Sequence, residues 1–526
     1  MPEETMYSTR FGQVEARLLH PAYRLMEVPT RVRAAGVRVG TKGSREAENI
    51  NAWDEVPDSS WFTNRIGRGP LSRTELLRQQ EAGPDMSGRW KIIAGKSAGV
   101  SSGFTVLDAR GDMYFIKFDV IGHEGLVTGA EIISTLIMNA AGYNVPHNYL
   151  RFVGANQFVL VEGAQTPGKY GEKREMTRAD LSEIFSNVDR RADGRMRIVA
   201  SKALDGRPVG FFLMEGTRPH DLNDRIPHEN RRELRGAHVF SAWLNNPDIR
   251  VGNTLDMYVG EPGKGYIQHY LIDFGSSLGS SGKGPKDPSD GYDLYVDYEA
   301  SLKNLATLGF HTAYWENNKE SPYSSVGLYE YHNFRPLDWT PWWPNPAWTA
   351  MTPRDGFWAA RIIARFTDAD LGAIVSQALL PEPDAEAYLL RALIKRRDKL
   401  VAAWFNALTP LDDFRLESDT ASLEPHLVFE NLAPSFGIAD AAKLRHTYAI
   451  RPGRRARGGR NETHTIQPDG ATLRIPLSRV TCRAPTHGRV DIQVTDGDEE
   501  IGGGVRVYLF CQSERDCLIT GLERRY

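Results

Sequence analysis

Polar side chains that can bind a metal ion follow two apolar segments of this chain. In "NNPDIRVGN", Asp248 and Asn253 lie in a turn after an apolar run, with Arg250 between them. Asp273 ends the apolar segment "HYLIDFG", and the nearby glycine lets the backbone turn. Carboxylate and amide oxygens are ligands that Mg²⁺ accepts in proteins. These residues predict a divalent-cation site, while an Asx turn at Asp248 and a turn cap at Asp273 remain local alternatives.

Lys117 occupies an otherwise apolar segment, "MYFIKFD", which has the pattern of a strand. A buried ammonium is costly unless a carboxylate pairs with it, so we expect the next helix to supply a partner. Glu131 fits that position, and Glu124 is the alternative. Two local explanations stay open, because Lys117 can snorkel from an edge strand and Glu131 can form a capping box with Thr128.

Three glycines, Gly95, Gly99 and Gly103, punctuate "AGKSAGVSSGFTV" between two predicted strands, one hairpin before the lysine. Such a turn can cover a nucleotide because small residues let backbone amides approach phosphates. Ordinary hairpin turns explain the same glycines. The "GKS" triplet does not complete a Walker motif, because Trp90 stands where GxxxxGK[ST] requires glycine.

The order of these residues resembles that of the protein-kinase-like fold, over roughly residues 95 to 275. The resemblance implies that Lys117 grips the phosphates of ATP and that Glu131 is its helix partner. It also assigns the glycine turn, with Gly95, Gly99 and Gly103, to the cover of the nucleotide.

The same resemblance implies the roles of the polar turn residues. Asp248 matches the catalytic aspartate that accepts or orients a substrate hydroxyl, and Arg250 matches the cation two residues on. Asn253 matches the metal-binding asparagine, and Asp273 matches the aspartate of the "DFG" triplet. The two would hold magnesium against the phosphates, and ATP and Mg²⁺ are the implied cofactors.

The flanking consensus of typical kinases is missing. Asn246 and Pro247 replace the start of "HRD", and neither a GxGxxG loop nor an "APE" triplet occurs. The pattern is closer to atypical branches such as the HipA-like toxins, the spore-coat CotH kinases and the Fam20-type secreted kinases. The segments "DEVPDSSWFTNR" and "HYLIDFGSSLGS" are similar to bacterial proteins of this general kind. The resemblance implies phosphoryl transfer to a hydroxyl of a protein or small molecule, with AMP transfer or a non-catalytic pseudokinase scaffold as alternatives.

The elements that must position these residues predict an α+β protein with a two-lobed kinase-like core. Residues 1–85 form an extended lead-in anchored by Trp61 and Phe62. Residues 86–216 form the N-lobe, in which "GFFLMEG" has a strand pattern and Thr128 can N-cap a helix. The hinge lies near 161–163 or 212–216. Residues 217–415 form the C-lobe, and alternating apolar patterns in 425–526 predict a β-rich C-terminal domain.

Composition limits the partners of this chain of 526 residues. Its 41% hydrophobic and 25% charged residues, with a net charge of −3, are those of a globular protein without a whole-chain attraction to nucleic acid. No apolar run is long enough to span a bilayer. The N-terminus lacks a signal-peptide pattern, which favours the cytoplasm, or an extracytoplasmic location if the N-terminus is incomplete.

Other conspicuous residues have plainer interpretations. The charged segment "RPHDLNDRIPHENRRELRG" is interpreted as a solvated salt-bridge loop. The tryptophans of "LDWTPWWPNPAW" suit core packing, or ligand stacking in a binding protein. Three cysteines, Cys482, Cys511 and Cys517, lack zinc-site spacing and are interpreted as small buried thiols, with one disulfide at most as the alternative.

Overall fold

The computed structural model describes residues 45–80, 82–96, 103–168, 172–294, 305–307, 312–418, 424–452, 463–466, 472–481, 485–513 and 515–526. Within these ranges the chain has a mixed α+β architecture, with sheets of seven, three, three and six strands. The helices of this part of the chain all lack the combination of length and apolar character that crossing a membrane requires.

The first sheet carries Lys117 and has the strand order β4-β7-β3-β2-β1-β5-β6. Strands β2 and β3 form the hairpin that the sequence predicts, and β3 pairs on its other side with β7. Lys117 therefore lies on an interior strand, which contradicts snorkelling from an edge. The strands are β1 Trp90–Gly95, β2 Gly103–Leu107, β3 Met113–Phe118, β4 Asn148–Val153, β5 Phe158–Pro167, β6 Lys173–Glu175 and β7 Met196–Lys202.

Along the chain, the described helices lie before, between and after the strands of the first sheet. They are α1 Arg73–Leu76, α2 Leu126–Ala141, α3 Arg178–Ser186, α4 Arg232–Leu244, α5 Pro346–Thr349, α6 Pro353–Ala364, α7 Asp368–Val375, α8 Ala385–Phe405 and α9 Ser478–Thr481. Gly142 ends α2, as its lack of a Cβ predicts, and adopts a φ of 134°. A capping box formed by Thr177 and Asp180 starts α3.

A small second sheet, in the order β10-β9-β8, lies between the first sheet and the later helices along the chain. It consists of β8 Arg207–Pro208, β9 Thr254–Val259 and β10 Tyr266–Leu271. Strands β9 and β10 form the predicted hairpin, in continuous antiparallel register from Thr254 opposite Leu271 to Val259 opposite Tyr266. This hairpin separates the Asn253 turn from Asp273 in sequence and brings both to one end of the sheet.

The last two sheets are built from residues 411–524, and most of their strands follow the alternating patterns of the C-terminal segment. One contains β11 Leu411–Ser418, β12 Pro425–Asn431 and β15 Thr472–Pro476. The other contains β13 Leu444–Pro452, β14 Thr463–Ile466, β16 Thr486–Asp496, β17 Glu499–Glu500, β18 Val505–Cys511 and β19 Cys517–Arg524. Cys511 and Cys517 form a disulfide across β18 and β19, so the disulfide alternative holds for these two cysteines. Cys482 lies outside the described residues.

Hydrophobic side chains form three larger clusters. One fills the first sheet and contacts α3. The largest joins α2, α4, α6, α7 and α8, and it includes Trp61 and Phe62, which anchor the N-terminal segment as predicted. The third fills the C-terminal strands. The candidate site lies where the first sheet and the helical cluster meet, because β3 and α2 both contribute to it.

Two sequence predictions for residues 210–236 are wrong. The segment "GFFLMEG" is not a strand; the backbone turns repeatedly there, with positive φ at Gly210 and Gly216. The charged segment after it is largely buried rather than solvated, since Arg232 and Arg235 are both 0% exposed. Both arginines bond to Asp355 of α6, at 3.0 Å and 3.1 Å. Charge density alone did not reveal these partners, because Asp355 lies far along the chain.

Candidate functional site

Lys117 is the centre of the site and has two carboxylate partners. Its Nζ lies 2.8 Å from Oε2 of Glu131 on α2 and 2.9 Å from Oδ1 of Asp273 after β10. Burial acts to lower the pKa of Lys117, but the two carboxylates outweigh it and hold the pKa above its ordinary value. The ammonium is therefore charged, and it ties a strand, a helix and a turn together at one point.

Glu131 is the partner that the sequence favoured, and the structure fixes it on both oxygens. Its Oε1 accepts from Nδ2 of Asn148, at 3.1 Å, while Oε2 faces Lys117. The alternative partner, Glu124, pairs instead with Arg191, at 2.8 Å. The Lys117–Glu131 pair is thus confirmed as a contact.

The start of α2 differs from the sequence prediction. Thr128 does not cap the helix but lies inside it, so it forms no capping box with Glu131. Asp119 performs this task, accepting from the backbone N–H groups of Val127 and Thr128 at 2.9 Å and 2.8 Å. Arg197 of β7 lies 3.4 Å from Asp119, which ties the N-terminus of α2 to the sheet. An aspartate before a helix can satisfy its free N–H groups from outside the usual cap position.

Asp248 lies in the turn after α4, where three groups contact its carboxylate. Asn253 donates from Nδ2 to Oδ2 at 3.1 Å and to the backbone oxygen of Asp248 at 2.7 Å. The Nε of Arg250 lies 2.9 Å from Oδ1, and the indole N–H of Trp343 donates to the same oxygen at 3.2 Å. Burial raises the pKa of Asp248 and Arg250 opposes it, with a net shift above the ordinary value.

Helix α8 stabilises the turn after α4 by hydrogen bonds. Arg396 of that helix donates to the backbone oxygens of Ala242 and Trp243, at 2.6 Å and 2.9 Å. The hydroxyl of Tyr329 also donates to the oxygen of Trp243, at 2.6 Å. The last carbonyls of α4, which have no partner inside the helix, are satisfied in this way. The direction in which the chain leaves α4 toward Asp248 is therefore fixed by tertiary contacts.

Tryptophans of the segment 338–348 also contact and stabilise this turn. The indole N–H of Trp339 donates to Oδ1 of Asn245 at 2.9 Å, and the backbone N–H of Trp342 donates to the oxygen of Pro247 at 3.0 Å. Trp343 contacts Asp248 directly, and its ring faces the guanidinium of Arg250 at 5.3 Å. No local pattern in the sequence indicates this role of Trp343, because the contact with Asp248 spans 95 positions.

The predicted metal ligands, Asn253 and Asp273, lie on two backbone segments that are hydrogen-bonded to each other. The N–H of Ile272 donates to the backbone oxygen of Asn253 at 3.0 Å. Asp273 adopts a φ of 62°, in the left-handed region, and its side chain is 40% exposed. Partial burial acts to raise the pKa of Asp273, and Lys117 outweighs it, so that the pKa lies below the ordinary value. The carboxylate is therefore charged and partly open to solvent.

Two of the three predicted glycines lie in strands, and Gly99 lies outside the described residues. A Cβ at Gly95 would meet Oγ1 of Thr166 at 2.3 Å, and one at Gly103 would meet the backbone oxygen of Ile116 at 2.1 Å. Close strand packing therefore explains both glycines without a nucleotide. Lys96, which follows Gly95, is a cation that sequence reasoning did not assign to the site. Burial and the nearby Lys117 ammonium lower its pKa.

Comparisons with known proteins add little to this geometry. No protein-family model matches the chain, and no curated protein matches it. Among solved structures, the chain is similar to a Helicobacter pylori proinflammatory kinase, CtkA, with 15% sequence identity and a TM-score of 0.31. The match covers 59% of this chain and 92% of that one. Any function must therefore be argued from the site itself.

Proposed function

We propose that this chain is an ATP- and magnesium-dependent phosphotransferase of the atypical kinase-like class, which transfers a phosphoryl group to a hydroxyl. The observation that carries the proposal is the pairing of Lys117 with both Glu131 and Asp273 beside the Asp248 turn. In this proposal residues 86–216 are the N-lobe, 217–415 the C-lobe and 425–526 an appended β-rich domain. Residues 1–85 precede the core.

The donor set of the site suits a magnesium nucleotide. Asn253 uses its Nδ2 to donate to Asp248, which leaves its amide oxygen for a cation. Asp273 supplies an exposed carboxylate beside it. Mg²⁺ is usually bound by one or two protein oxygens together with substrate phosphates and water. Bound there, Mg²⁺ would neutralise phosphate charge, and Lys117 would contribute a second positive charge.

Asp248 is the residue proposed to act on the acceptor. In the transfer, the bond from phosphorus to the leaving oxygen of ADP breaks and a bond to the acceptor oxygen forms. The proton of the acceptor hydroxyl passes to Asp248 or to solvent. Asn253, Arg250 and Trp343 fix the direction of the Asp248 carboxylate. Such fixed orientation is the main contribution a protein makes to phosphoryl transfer.

One observation favours a second candidate, a non-catalytic nucleotide-binding or scaffold protein. Both oxygens of Asp248 already have partners, since Asn253 contacts Oδ2 while Arg250 and Trp343 contact Oδ1. A carboxylate so engaged accepts a hydroxyl proton less readily than a free one. Nucleotide binding without transfer is the behaviour that this alternative predicts.

Thermal unfolding with and without Mg·ATP tests both candidates. The parent protein should unfold at a higher temperature with Mg·ATP than with ATP alone or Mg²⁺ alone. A ligand that binds only the folded state adds about 2.7 kcal/mol to the free energy of unfolding at a hundred times its Kd. Asp273→Asn should abolish the gain that depends on magnesium, whereas Asp248→Asn should keep it. Absence of any gain in the parent protein would reject nucleotide binding at this site.

Transfer is then measured on the same proteins, as ADP released from ATP or label passed from γ-labelled ATP to protein or water. The enzyme proposal would be supported if the parent protein releases ADP and the rate falls by about a thousandfold in Asp248→Asn. Binding without release in the parent protein would support the scaffold.

A further inference from the structure

A further lysine, Lys286, is buried beside the Asp248 turn. The chain after Asp273 turns back on itself, with Ser280 bridged to Pro285, and Lys286 follows this turn. Its backbone N–H donates to the oxygen of Gly279 at 2.9 Å, and its Nζ donates to the backbone oxygen of Ser276 at 2.9 Å. The residue is only 2% exposed, so its ammonium lies inside the protein.

The described part of the chain places no carboxylate at ion-pair distance from this ammonium. The ring of Trp342 lies 4.8 Å from Nζ and offers a cation–π contact. Burial lowers the pKa of Lys286 to about 8, although the carboxylates of Asp290 and Asp248 act in the opposite direction. Burying an unpaired charge costs several kcal/mol, so an anion bound beside this ammonium would be stabilised by it.

The two carboxylates that act on Lys286 are held by other groups. Oδ1 of Asp290 accepts from the indole N–H of Trp342 at 2.7 Å, and Oδ2 accepts from the N–H of Asp287 at 2.9 Å. Asp248 is fixed by the contacts described above. Neither side chain is free to swing toward the ammonium without losing these bonds. Among the described residues, the ammonium is thus left with the Ser276 oxygen and the Trp342 ring as its contacts.

We propose that Lys286 is an oxyanion-binding residue, which contacts the phosphoryl group during its transfer to the acceptor. This inference rests on the proposed function. Lys286 lies between Ser276, three positions after the proposed magnesium ligand Asp273, and Trp342, whose backbone bonds to the residue before Asp248. That position is between the metal side and the acceptor side of the site. Lys286 forms no covalent bond and transfers no proton in this role; it only offsets the charge of the moving group.

The turn that precedes Lys286 offers a matched control. Lys283 lies in the same turn but is exposed, so Lys283→Met removes the same charge without changing the site. Lys286→Met removes the buried ammonium and keeps an unbranched side chain. Lys286→Gln removes the charge but keeps a donor for the oxygen of Ser276. Comparing these variants separates the charge from the hydrogen bond.

The probe is aluminium fluoride, which with Mg·ADP mimics a phosphoryl group in transfer. The midpoint of thermal unfolding is measured for each protein alone, with Mg·ADP, and with Mg·ADP and aluminium fluoride. We expect Mg·ADP to raise the unfolding midpoint of the parent protein and of Lys283→Met, and aluminium fluoride to raise it further. Both Lys286 variants should keep the gain from Mg·ADP and lose the further gain from aluminium fluoride. Their rate of ADP release should fall by about a hundredfold, as when one oxyanion donor is removed.

Stability without ligand separates this role from a structural one. A buried charge without a partner does not stabilise the fold, so Lys286→Met should unfold at the same temperature as the parent protein or higher. A lower midpoint in Lys286→Met together with an intact aluminium fluoride gain would overturn the inference. Lys286 would then have a structural role, through its hydrogen bond to Ser276. An equal aluminium fluoride gain in all proteins would also overturn the inference, because Lys286 would then make no contact with the phosphoryl group. Absence of any Mg·ADP gain in the parent protein would instead reject the proposed function on which it rests.

Discussion

At the scale of single residues, the two carboxylates of Lys117 differ in how firmly they are held. Glu131 is 2% exposed, and its second oxygen is bound by Asn148. Asp273 is 40% exposed and lies at the end of a strand. The helix carboxylate is therefore the fixed partner, and Asp273 is the one that can exchange Lys117 for a cation. This division follows from burial, which sequence spacing does not report.

Replacing Glu131 by glutamine should weaken nucleotide binding. The amide keeps an acceptor for Asn148 but removes the charge that holds the Lys117 ammonium in place, so Lys117 should turn toward Asp273 alone. We expect the Kd of Mg·ATP to rise about tenfold, which corresponds to roughly 1.4 kcal/mol. Titration calorimetry measures this change directly.

Glu124→Gln is the matched control, because Glu124 pairs with Arg191 on the surface. Partly exposed pairs contribute about 0–1 kcal/mol, so nucleotide affinity should not change. Equal weakening in both variants would show that net charge, and not the contact with Lys117, determines binding.

At the scale of elements, α4 positions the Asp248 turn by close packing against α6. Gly236 of α4 faces the ring of Trp358, and a Cβ there would lie 2.7 Å from the ring carbon Cζ3. The glycine therefore allows the two helices to approach closely. A second helical glycine, Gly372 of α7, has its nearest neighbour at 3.6 Å, an ordinary contact.

These two glycines predict opposite effects of the same substitution. Gly236→Ala should lower the free energy of unfolding by about 1–3 kcal/mol, because overpacking outweighs the helical preference of alanine. Gly372→Ala should raise it by up to about 1 kcal/mol, since the helical preference acts there without a clash. Urea unfolding of both variants gives the two values. Stabilisation by Gly236→Ala would mean that Trp358 moves aside at little cost and that the packing of α4 is loose.

At the scale of the whole molecule, charged contacts join distant parts of the chain. Arg361 of α6 pairs with Glu55 near the start of the described chain and with Asp412 of β11. Arg524, in the last strand, donates to Asp412 at 3.1 Å. The first described segment, the helices and the C-terminal strands are thus linked through buried groups. These links predict that the C-terminal strands contribute to the stability of the helical part.

The C-terminal strands contain a buried histidine that must stay neutral. Oδ1 of Asn431 accepts from the N–H of Ala433 at 2.9 Å, so Nδ2 is the atom that donates to Nε2 of His446, at 2.8 Å. A protonated Nε2 could not accept this bond. Burial lowers the pKa of His446 to about 4. The unfolded chain, with an ordinary histidine, binds this proton more readily than the folded one.

Stability should therefore fall as the pH decreases. The contribution of His446 is complete above an ordinary histidine pKa of about 6.5 and is lost as the pH falls toward the folded value, on the order of 3 kcal/mol in total. His446→Gln keeps an acceptor for Asn431 but does not titrate. Unfolding measured near about pH 7.5 and about pH 5 should show a smaller loss in His446→Gln than in the parent protein. Equal losses would assign the acid sensitivity to other groups.

Local patterns in the sequence predicted much of the fold. The β2–β3 hairpin, the end of α2 at Gly142, the β9–β10 hairpin and the C-terminal strands all follow from alternation, helical period and glycine punctuation. Those signals depend on neighbours in sequence, so one chain suffices to detect them. The failures, such as the N-terminus of α2 and the buried arginines of α4, involve partners that are distant in sequence or outside the usual cap position.

The sequence by itself determined which side chains have the chemistry for the site, namely Lys117, Glu131, Asp248, Asn253 and Asp273. Their types and order carry that information because each lies in or directly beside an element with a strong local pattern. Only the tertiary structure decided which of them meet, since Glu131 rather than Glu124 reaches Lys117. It alone brought Trp343 and the buried Lys286 to the Asp248 turn. Burial and contact arise when separate segments pack together, and no local stretch of sequence encodes them.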